Sequence, residues 1–305
     1  VAPAEGAGGG APVGGHEGHL QRAFGVVEGG DGADVASVEG LDGLADGGVS
    51  GGVLGPGEAI AQDLSAPTAE PQPASPANEG EQSSILLDVV RNDPEVRAMI
   101  AQANKNLAVL GFTEHGFRHV GLVSSIARNV MRLLGYDARQ QELAAIAGYT
   151  HDVGNVISRH GHATTGAVLA HPILTRLGMS PEDMVIVLGA IGSHGDDHGR
   201  LGEPVHPPSA ALILADKSDV HRSRVRNPEP TSFDQHDRVN YAATSSFLRV
   251  DADASTITLE LTIDTAIAPV MHYFEIFLPR MLMCRRAAEH LGCEFHITMN
   301  EVVLL

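Results

Sequence analysis

The sequence contains no tryptophan, only two cysteines and few aromatic residues, which make up 4% of its 305 residues. Both cysteines, Cys284 and Cys293, lie late in the chain, so the sequence predicts no disulfide framework. A reducing cytoplasm is the simplest compartment for such a chain. No run of 18 apolar residues occurs, and we therefore expect no membrane span.

Basic residues are scarce. The chain has 20 Lys and Arg against 38 Asp and Glu, which gives a formal net charge of −18, and it has no stripe rich in lysine or arginine. Sequence-independent binding to nucleic acids relies on basic side chains that neutralise phosphates, so we expect no nucleic-acid polymer as a partner. Chemistry on a small molecule fits this composition better.

The first 82 residues differ in composition from the rest. They hold 20 of the 35 glycines and 13 acidic residues, but a single basic residue, Arg22. They show no apolar period, so little burial is available to offset the entropy of the chain. We predict a disordered acidic leader over residues 1–82, without the pattern of an export signal. A start codon placed too far upstream would give the same pattern.

Residues 83–228 show the apolar spacing of α-helices, which predicts a mostly α fold built on a helical bundle. Aspartate, serine and proline residues mark several of the helix starts. The predicted helices are two short ones on either side of Asp93-Pro94 within 85–110, and longer ones over about 119–133, 137–152, 164–177, 180–194 and 207–216.

Residues 229–305 follow a different pattern. Segments 244–250 and 256–263 alternate polar and apolar residues around a turn-like Asp251-Ala252-Asp253, which predicts a β-hairpin. A helix over about 269–291 and a last strand over 294–304 complete the order ββαβ. We expect a small C-terminal α+β subdomain here, through which a homodimer could form.

Histidine is concentrated in the helical region, where ten of the sixteen lie between positions 115 and 221. Imidazole and carboxylate ligands favour Mn, Fe, Co, Ni or Zn over Ca or Mg, although Mg is left open. A single buried histidine is more often a hydrogen-bonded core residue, but a set of six residues on separate elements argues for one or two divalent cations. The candidate ligands are His119, His151, Asp152, His162, His194 and Asp216.

The order of these residues resembles the H…HD…H…H…D signature of the HD superfamily, over roughly residues 110–225. The better-known members hydrolyse phosphomonoesters and phosphodiesters of nucleotides. His162 is followed by Ala-Thr-Thr-Gly-Ala, which resembles an HxxxGA pattern of dinuclear HD hydrolases, and it is therefore preferred to His160 or His171. His198 could replace His194 or add to it. The Gly-Tyr-Pro extension of cyclic-di-GMP phosphodiesterases is absent.

The resemblance implies a metal-dependent phosphohydrolase, in which a metal-activated water attacks a small phosphorylated substrate. We expect Asp152 to bridge two ions, and Asp219, one helical turn after Asp216, to orient a ligand. Lys217 is a further catalytic candidate. His115, one turn before His119, is a candidate addition to the site. The candidates for binding substrate phosphate are Lys217, Arg222, Arg224 and Arg226, and the alternative is that they solvate the end of the helix.

Two other functions remain open from the sequence. Some members of the superfamily use a mixed-valent di-iron version of the same cage to activate oxygen, and Tyr149 and Glu114 are the residues that could assist such a reaction. A non-catalytic module that senses a ligand or dimerises through the C-terminal sheet is the third hypothesis.

Overall fold

The computed structural model of the chain describes residues 86–197 and 200–304. The predicted leader over residues 1–82 and the candidate His198 lie outside this range. The described elements are α1 (Leu87–Asn92), α2 (Pro94–Val109), α3 (Phe117–Leu133), α4 (Ala138–Thr150), α5 (His162–Arg176), α6 (Pro181–Ser193), β1 (Asp196–Asp197), β2 (Arg200–Leu201), α7 (Pro207–Ser218), α8 (Gln235–Ala242), β3 (Ala243–Asp251), β4 (Thr256–Ile263), α9 (Val270–His290), β5 (Glu294–Met299) and β6 (Val302–Val303), with 3-10 turns at Val153–Val156, Arg222–Arg224 and Pro230–Ser232. The predicted fold class, a helical bundle followed by a small sheet, is confirmed.

The helices begin where short polar side chains can cap them. The Asp93 carboxylate accepts hydrogen bonds from the backbone N–H groups of Glu95 and Val96, at 3.0 and 3.1 Å. Asp137 accepts from Gln140 in the same way, and Ser180 caps α6. Such caps satisfy N–H groups that have no partner within the helix, and each contributes about 1 kcal/mol.

The helix predicted over 164–177 begins two residues earlier than expected. Gly161 has a left-handed backbone with φ +68°, and α5 starts at the next residue, His162. Glycine takes this conformation without the steric cost that a Cβ atom would bring. The chain can therefore turn sharply before α5, and His162 becomes the first residue of that helix.

Helix α7 is the central element of the bundle. Its residues from Ala210 to Ala215 have no exposed surface, and it packs against α3, α4, α6 and α9. This all-round burial explains why the stretch is a continuous run of Ala, Leu and Ile rather than an amphipathic pattern. The last turn of α7 therefore places Asp216 at the end of this buried helix, with 13% of its side chain exposed.

The C-terminal strands form one sheet in the order β3-β4-β5-β6. The hairpin of β3 and β4 is antiparallel, whereas β5 runs parallel to β4 after the crossover helix α9. Alternate residues of β4, from Ile257 to Ile263, are buried, and the threonines between them face outward. This is the alternation that predicted the strand.

The predicted last strand over 294–304 is divided into two. Asn300 and Glu301 have φ values of +48° and +67°, and β6 turns back to pair antiparallel with β5. Two residues with positive φ form the tight turn that suits a hairpin. The prediction of a single strand was wrong because it relied on the apolar residues at both ends and overlooked the turn signal of Asn300.

In the described part of the chain, no helix has both the length and the apolar character needed to cross a lipid bilayer.

Candidate metal centre

The ends of five helices meet at one point of the bundle. His119 lies in the first turn of α3, and His162 is the first residue of α5. His151 follows the last residue of α4 and is itself followed by Asp152. His194 follows the last residue of α6, and Asp216 lies in the last turn of α7. The structure thus brings together all six residues that the sequence predicted as metal ligands.

Two glycines allow this convergence. A Cβ atom on Gly148 would lie 2.8 Å from the Cα of Ser124, so α3 and α4 could not approach as closely with any other residue there. A Cβ atom on Gly154 would lie 2.0 Å from the carbonyl oxygen of His162. Both distances are too short for real contacts, and glycine is required at each close approach of two backbones.

The four histidines of the cluster are oriented in the same way. In each ring, Nδ1 faces an oxygen atom and Nε2 faces the centre of the cluster. Because Nδ1 donates its hydrogen to that oxygen, Nε2 of the neutral ring carries a free lone pair, which is the state of a metal-binding imidazole. The Nδ1 partners are Asp219 Oδ2 for His119 at 2.7 Å, and the backbone carbonyls of Gly148 for His151 at 2.8 Å, Arg159 for His162 at 3.0 Å and Ile191 for His194 at 2.5 Å.

Two carboxylates complete the cluster. Asp152 Oδ2 lies 3.3 Å from His151 Nε2 and 3.6 Å from His119 Nε2, whereas Asp152 Oδ1 lies 3.6 Å from His162 Nε2. Asp216 Oδ1 lies 3.3 Å from His119 Nε2 and 3.7 Å from His151 Nε2. The two oxygens of Asp152 therefore face different histidines.

The residues of the cluster can be grouped into three overlapping sets whose ligand atoms lie within 4.8 Å of one another. These are His119, His151 and Asp152; His151, His194 and Asp216; and Asp152, His162 and His194. Such sets of buried imidazoles and carboxylates are able to hold a metal ion.

The polar atoms at the centre have too few partners within the protein. Asp152 Oδ2 and His194 Nε2 are buried and accept no hydrogen bond from any described residue. The Nε2 atoms of His119 and His151 are 3.2 Å apart, although each ring already donates through Nδ1. Two lone pairs at this distance repel each other unless a proton or a metal ion lies between them. The side chains present therefore fit a bound cation.

The protonation states of the cluster residues also favour a bound cation. Burial lowers the pKa of His162 to about 4 and holds the pKa of His194 well below its ordinary value, so both rings stay neutral. Burial would raise the pKa of Asp152 and of Asp216, but the neighbouring histidines and Lys217 outweigh it and keep both carboxylates ionised. Neutral imidazoles and charged carboxylates are the forms that bind metals.

Asp219 and Lys217 lie next to the cluster. Asp219 is 1% exposed and accepts hydrogen bonds from Arg118, at 2.9 Å, and from His119. It thus holds the ring of His119, which agrees with the predicted orienting role. Lys217 Nζ lies 2.6 Å from Asp216 Oδ2.

The arginines proposed from the sequence as phosphate ligands are used for other contacts. Arg226 donates to the carbonyl of Phe112 and to the side chain of Asn104. Arg224 donates to the carbonyls of Glu114 and Asp219. Arg222 lies over the ring of Tyr241, 5.2 Å from its centroid. The N–H groups of Arg224 and Arg226 hold the backbone, whereas Nε of Arg222 is buried with no hydrogen-bond partner among the described residues. Neither Arg222 nor Arg226 lines the cavity beside the cluster.

A cavity leads from the cluster towards the C-terminal segment. Its inner end, with a volume of about 10 Å³, is lined by Asp152, His162 and Asp216 of the cluster together with Lys217 and Arg224. Three further residues, His115, Arg159 and Arg280, line both the inner and the outer end. The outer end has a volume of about 230 Å³ and receives further side chains from the loop before α3 and from α8 and α9. These include Phe112, Asp234, His236, Asp237, Asn240 and Phe277.

The structure places His115, the candidate addition, against the cluster. Its ring packs edge-on against His119, with 5.3 Å between the centroids, and its Nδ1 is 2.6 Å from the carbonyl oxygen of Thr113. Arg159 and Arg280 are cavity residues that the sequence analysis missed. Arg159 follows the HD pair closely enough to have been considered, whereas nothing in the local sequence of α9 indicates that Arg280 reaches the cavity.

The residues suggested for oxygen chemistry lie elsewhere. Glu114 accepts hydrogen bonds from the backbone N–H of Gly116 and from Arg118. Tyr149 is a core residue, 3% exposed, with Arg91 over its ring. Neither residue is among those that line the cavity.

A helical bundle with histidines and aspartates at the meeting point of its helix ends defines a class of metal-binding domain. Residues 116–221 match the sequence model of the HD domain family. The match covers α3 to α7, which supply all six residues of the cluster, and confirms the resemblance seen in the sequence. A comparison with curated proteins gives no match for this chain.

Proposed function

We propose that the protein is a metal-dependent phosphohydrolase that hydrolyses a small phosphate ester. The observation that carries this proposal is the pair of buried atoms without a partner, Asp152 Oδ2 and His194 Nε2, next to a cavity lined by cationic side chains. The first feature suits metal ions and the second suits an anionic substrate. An HD domain is typical of enzymes with this chemistry.

We further propose a centre with two metal ions. His119, His151 and Asp216 would hold one ion, and His162 and His194 the other, with Asp152 shared between them because its two oxygens face the two sets. Divalent ions in such a centre acidify a water molecule and offset negative charge on the phosphoryl oxygens.

The chain's own residues have three tasks in this reaction. The hydrogen bonds to Nδ1 keep the histidine rings fixed, so that no reorganisation is needed during the reaction. Arg280 and Arg159 hold the phosphoryl group at the inner end of the cavity, where guanidinium groups can bind two oxygens at once. Lys217 is the cation closest to Asp216 and would donate to a phosphoryl oxygen or a leaving oxygen.

The first test combines metal analysis with an activity screen. Protein prepared without added metal is loaded separately with Mn, Fe, Co, Ni, Zn or Mg, and phosphate release from a panel of esters that includes p-nitrophenyl phosphate is measured. We expect about two ions per chain and metal-dependent phosphate release. The variant His194→Ala should keep about one ion and lose phosphate release, whereas His290→Ala, an exposed histidine at the end of α9, should change neither the metal content nor the activity.

Metal binding without hydrolysis of any ester would overturn the proposal. If iron were the metal bound and the loaded protein consumed oxygen in the presence of a substrate, the oxygenase hypothesis would replace it.

A further inference from the structure

The two ends of the cavity differ in charge. Arg159 and Arg280 line both ends, Lys217 and Arg224 line the inner end beside the cluster, and Asp234 and Asp237 line the outer end. A substrate bound with its phosphoryl group at the cluster would extend towards these two acids. The sign of the charge at each end therefore bears on which phosphate esters can enter.

Arg280 is the cation best suited to bind the substrate. Its guanidinium forms no ion pair or hydrogen bond with the residues that the structure describes. It lies over the ring of Phe277, with Cζ 4.7 Å from the ring centroid. Burial, together with the charge of Arg224, lowers the pKa of Arg280. Arg280 is half-buried, and a partly desolvated cation without a counter-ion is costly, so a bound anion would reduce that cost.

Asp234 and Asp237 likewise lack a cation of their own. Neither forms an ion pair with a described residue, and the guanidinium of the adjacent Arg238 donates to the carbonyl of Phe233 instead. Asp234 caps α8 by accepting from the backbone N–H of Asp237, which fixes the two carboxylates close together. Burial and the charge of Asp234 raise the pKa of Asp237, as expected for two neighbouring acids that are not neutralised.

We propose that this cavity selects compact esters with one phosphoryl group and rejects substrates with a second phosphate at their far end. The inference rests on the proposed phosphohydrolase function and names its substrate class. The phosphoryl group would lie between the cluster and Arg280, and the organic part would lie between Phe112 and Phe277, with hydroxyl or amino groups donating to Asp234 and Asp237. A second phosphate would meet these carboxylates and be repelled, since like charges placed together are strongly unfavourable.

The size of the cavity supports a compact organic part. The outer end has a volume of about 230 Å³, which is below the range of about 300–1,000 Å³ typical of pockets for drug-sized ligands. A sugar or a single nucleoside is of suitable size. A dinucleotide would have to extend past the two acids.

All residues that form this filter lie outside the HD match. Phe112 precedes residues 116–221, and Asp234, Asp237, Phe277 and Arg280 follow them. The HD domain would thus supply the chemistry, while α8, α9 and the loop before α3 would determine the choice of substrate.

Equilibrium binding tests the inference independently of turnover. The probes are phosphonate analogues of fructose 6-phosphate and fructose 1,6-bisphosphate, in which a CH₂ group replaces each ester oxygen and blocks hydrolysis. Their affinities for the Mn²⁺-loaded full chain are measured by calorimetry. We expect the monophosphonate to bind about tenfold more tightly than the bisphosphonate.

The charge filter is tested with the double variant Asp234→Asn/Asp237→Asn. Asparagine keeps the size of the side chain and is an equally good helix cap, so α8 should remain folded. We expect the preference for the monophosphonate to fall about fivefold or more, and to weaken in wild type when salt is raised, because Asp234 is exposed to screening. The control Asp253→Asn/Glu289→Gln removes two exposed charges that do not line the cavity and should leave the preference unchanged.

Equal or tighter binding of the bisphosphonate by wild type, no measurable binding of either probe, or an unchanged preference in the double variant would each overturn the inference. Phosphate release from p-nitrophenyl phosphate is followed in parallel. If that release is absent with every metal, the proposed function fails, and the binding ratio still decides whether the cavity filters charge.

Discussion

The polar atoms of the metal cluster and the arginines near the cavity beside it differ in which of them have hydrogen-bond partners within the protein. At the cluster, every histidine uses Nδ1 for a hydrogen bond and leaves Nε2 facing inward. Arg226, which lies outside the cavity lining, is held by backbone carbonyls, whereas Arg280, which lines the cavity, has no such partner among the described residues. Atoms with protein partners hold the frame, and atoms without them are available for a ligand.

This difference teaches how to separate binding residues from structural ones of the same type. Residue type does not distinguish Arg226 from Arg280, and position along the chain favours Arg226, which does not line the cavity. They are distinguished by whether their N–H groups already donate. The predictions below test this distinction, beginning with the atoms at the centre of the cluster.

The largest effect is expected from the inward-facing ligands. Replacing Asp152 with alanine should remove both metal ions, whereas His162→Ala and His119→Ala should each remove one, because Asp152 alone faces both sets. Activity should fall about 10³-fold or more in each case, which corresponds to the several kcal/mol that metal ions supply. Elemental analysis of the purified variants gives the stoichiometry. Equal metal loss in all three variants would show a single shared site instead.

A smaller effect is expected at a group that acts through its partner. In Asp219→Asn, the side chain keeps its shape but no longer offers a charged acceptor to His119 Nδ1 at 2.7 Å. Metal affinity should fall about 10- to 100-fold, the usual effect of changing a residue that orients a metal ligand. The metal content should be restored at high metal concentration, which separates this positioning role from the direct ligation by Asp152. An affinity equal to that of wild type would contradict the role.

The comparison between the two arginines gives the sharpest test. Arg280→Met should weaken substrate binding about 20-fold with little loss of stability, since its N–H groups have no protein partner to lose. Arg226→Met should do the opposite and lower the free energy of unfolding by about 1–2 kcal/mol, because it leaves the carbonyl of Phe112 without its Arg226 donor and that of Thr113 with His115 Nδ1 alone. Steady-state kinetics and urea unfolding measure the two effects. If both variants lost stability alone, the guanidinium of Arg280 would have no role in binding.

Much of the site could be predicted from the sequence because its signal is local. Each cluster residue lies at the end of a helix whose apolar spacing is readable, and the order of residue types along the chain is specific. The wall of the cavity has no such signal. Arg280 reaches the cluster because α9 packs against α7, and Asp234 and Asp237 reach the mouth because α8 begins beside it. These contacts join segments far apart in sequence, and no periodicity in either segment predicts them.

The arginines of 222–226 show that closeness in sequence to a site residue does not predict a binding role. Their position just after Asp216 made them good candidates for binding phosphate. The structure uses Arg224 and Arg226 to fasten the segment before α3, which carries His115. A sequence shows that a cation is near a site, but the direction of its N–H groups depends on backbone carbonyls that only the folded chain positions.

The last and smallest effect concerns the proton that competes with metal. Burial alone would lower the pKa of His151, but the carboxylates of Asp152 and Asp216 outweigh burial and raise it. In the metal-free protein His151 therefore keeps a proton at and somewhat above the pH at which a free histidine loses it. His162, with a pKa of about 4, is already neutral there. Metal needs the Nε2 lone pair, so binding must displace the His151 proton and affinity must rise with pH.

We expect metal affinity to increase by up to about tenfold per pH unit between about pH 5 and 7, the slope for one released proton. Calorimetry in two buffers of different ionisation enthalpy counts that proton directly. A flat affinity over this range, with no proton released, would mean that Nε2 of His151 is unprotonated without metal. The repulsion between the Nε2 atoms of His119 and His151, 3.2 Å apart, would then be relieved by a movement of the rings, and the cluster would be less preorganised for metal than its hydrogen bonds indicate.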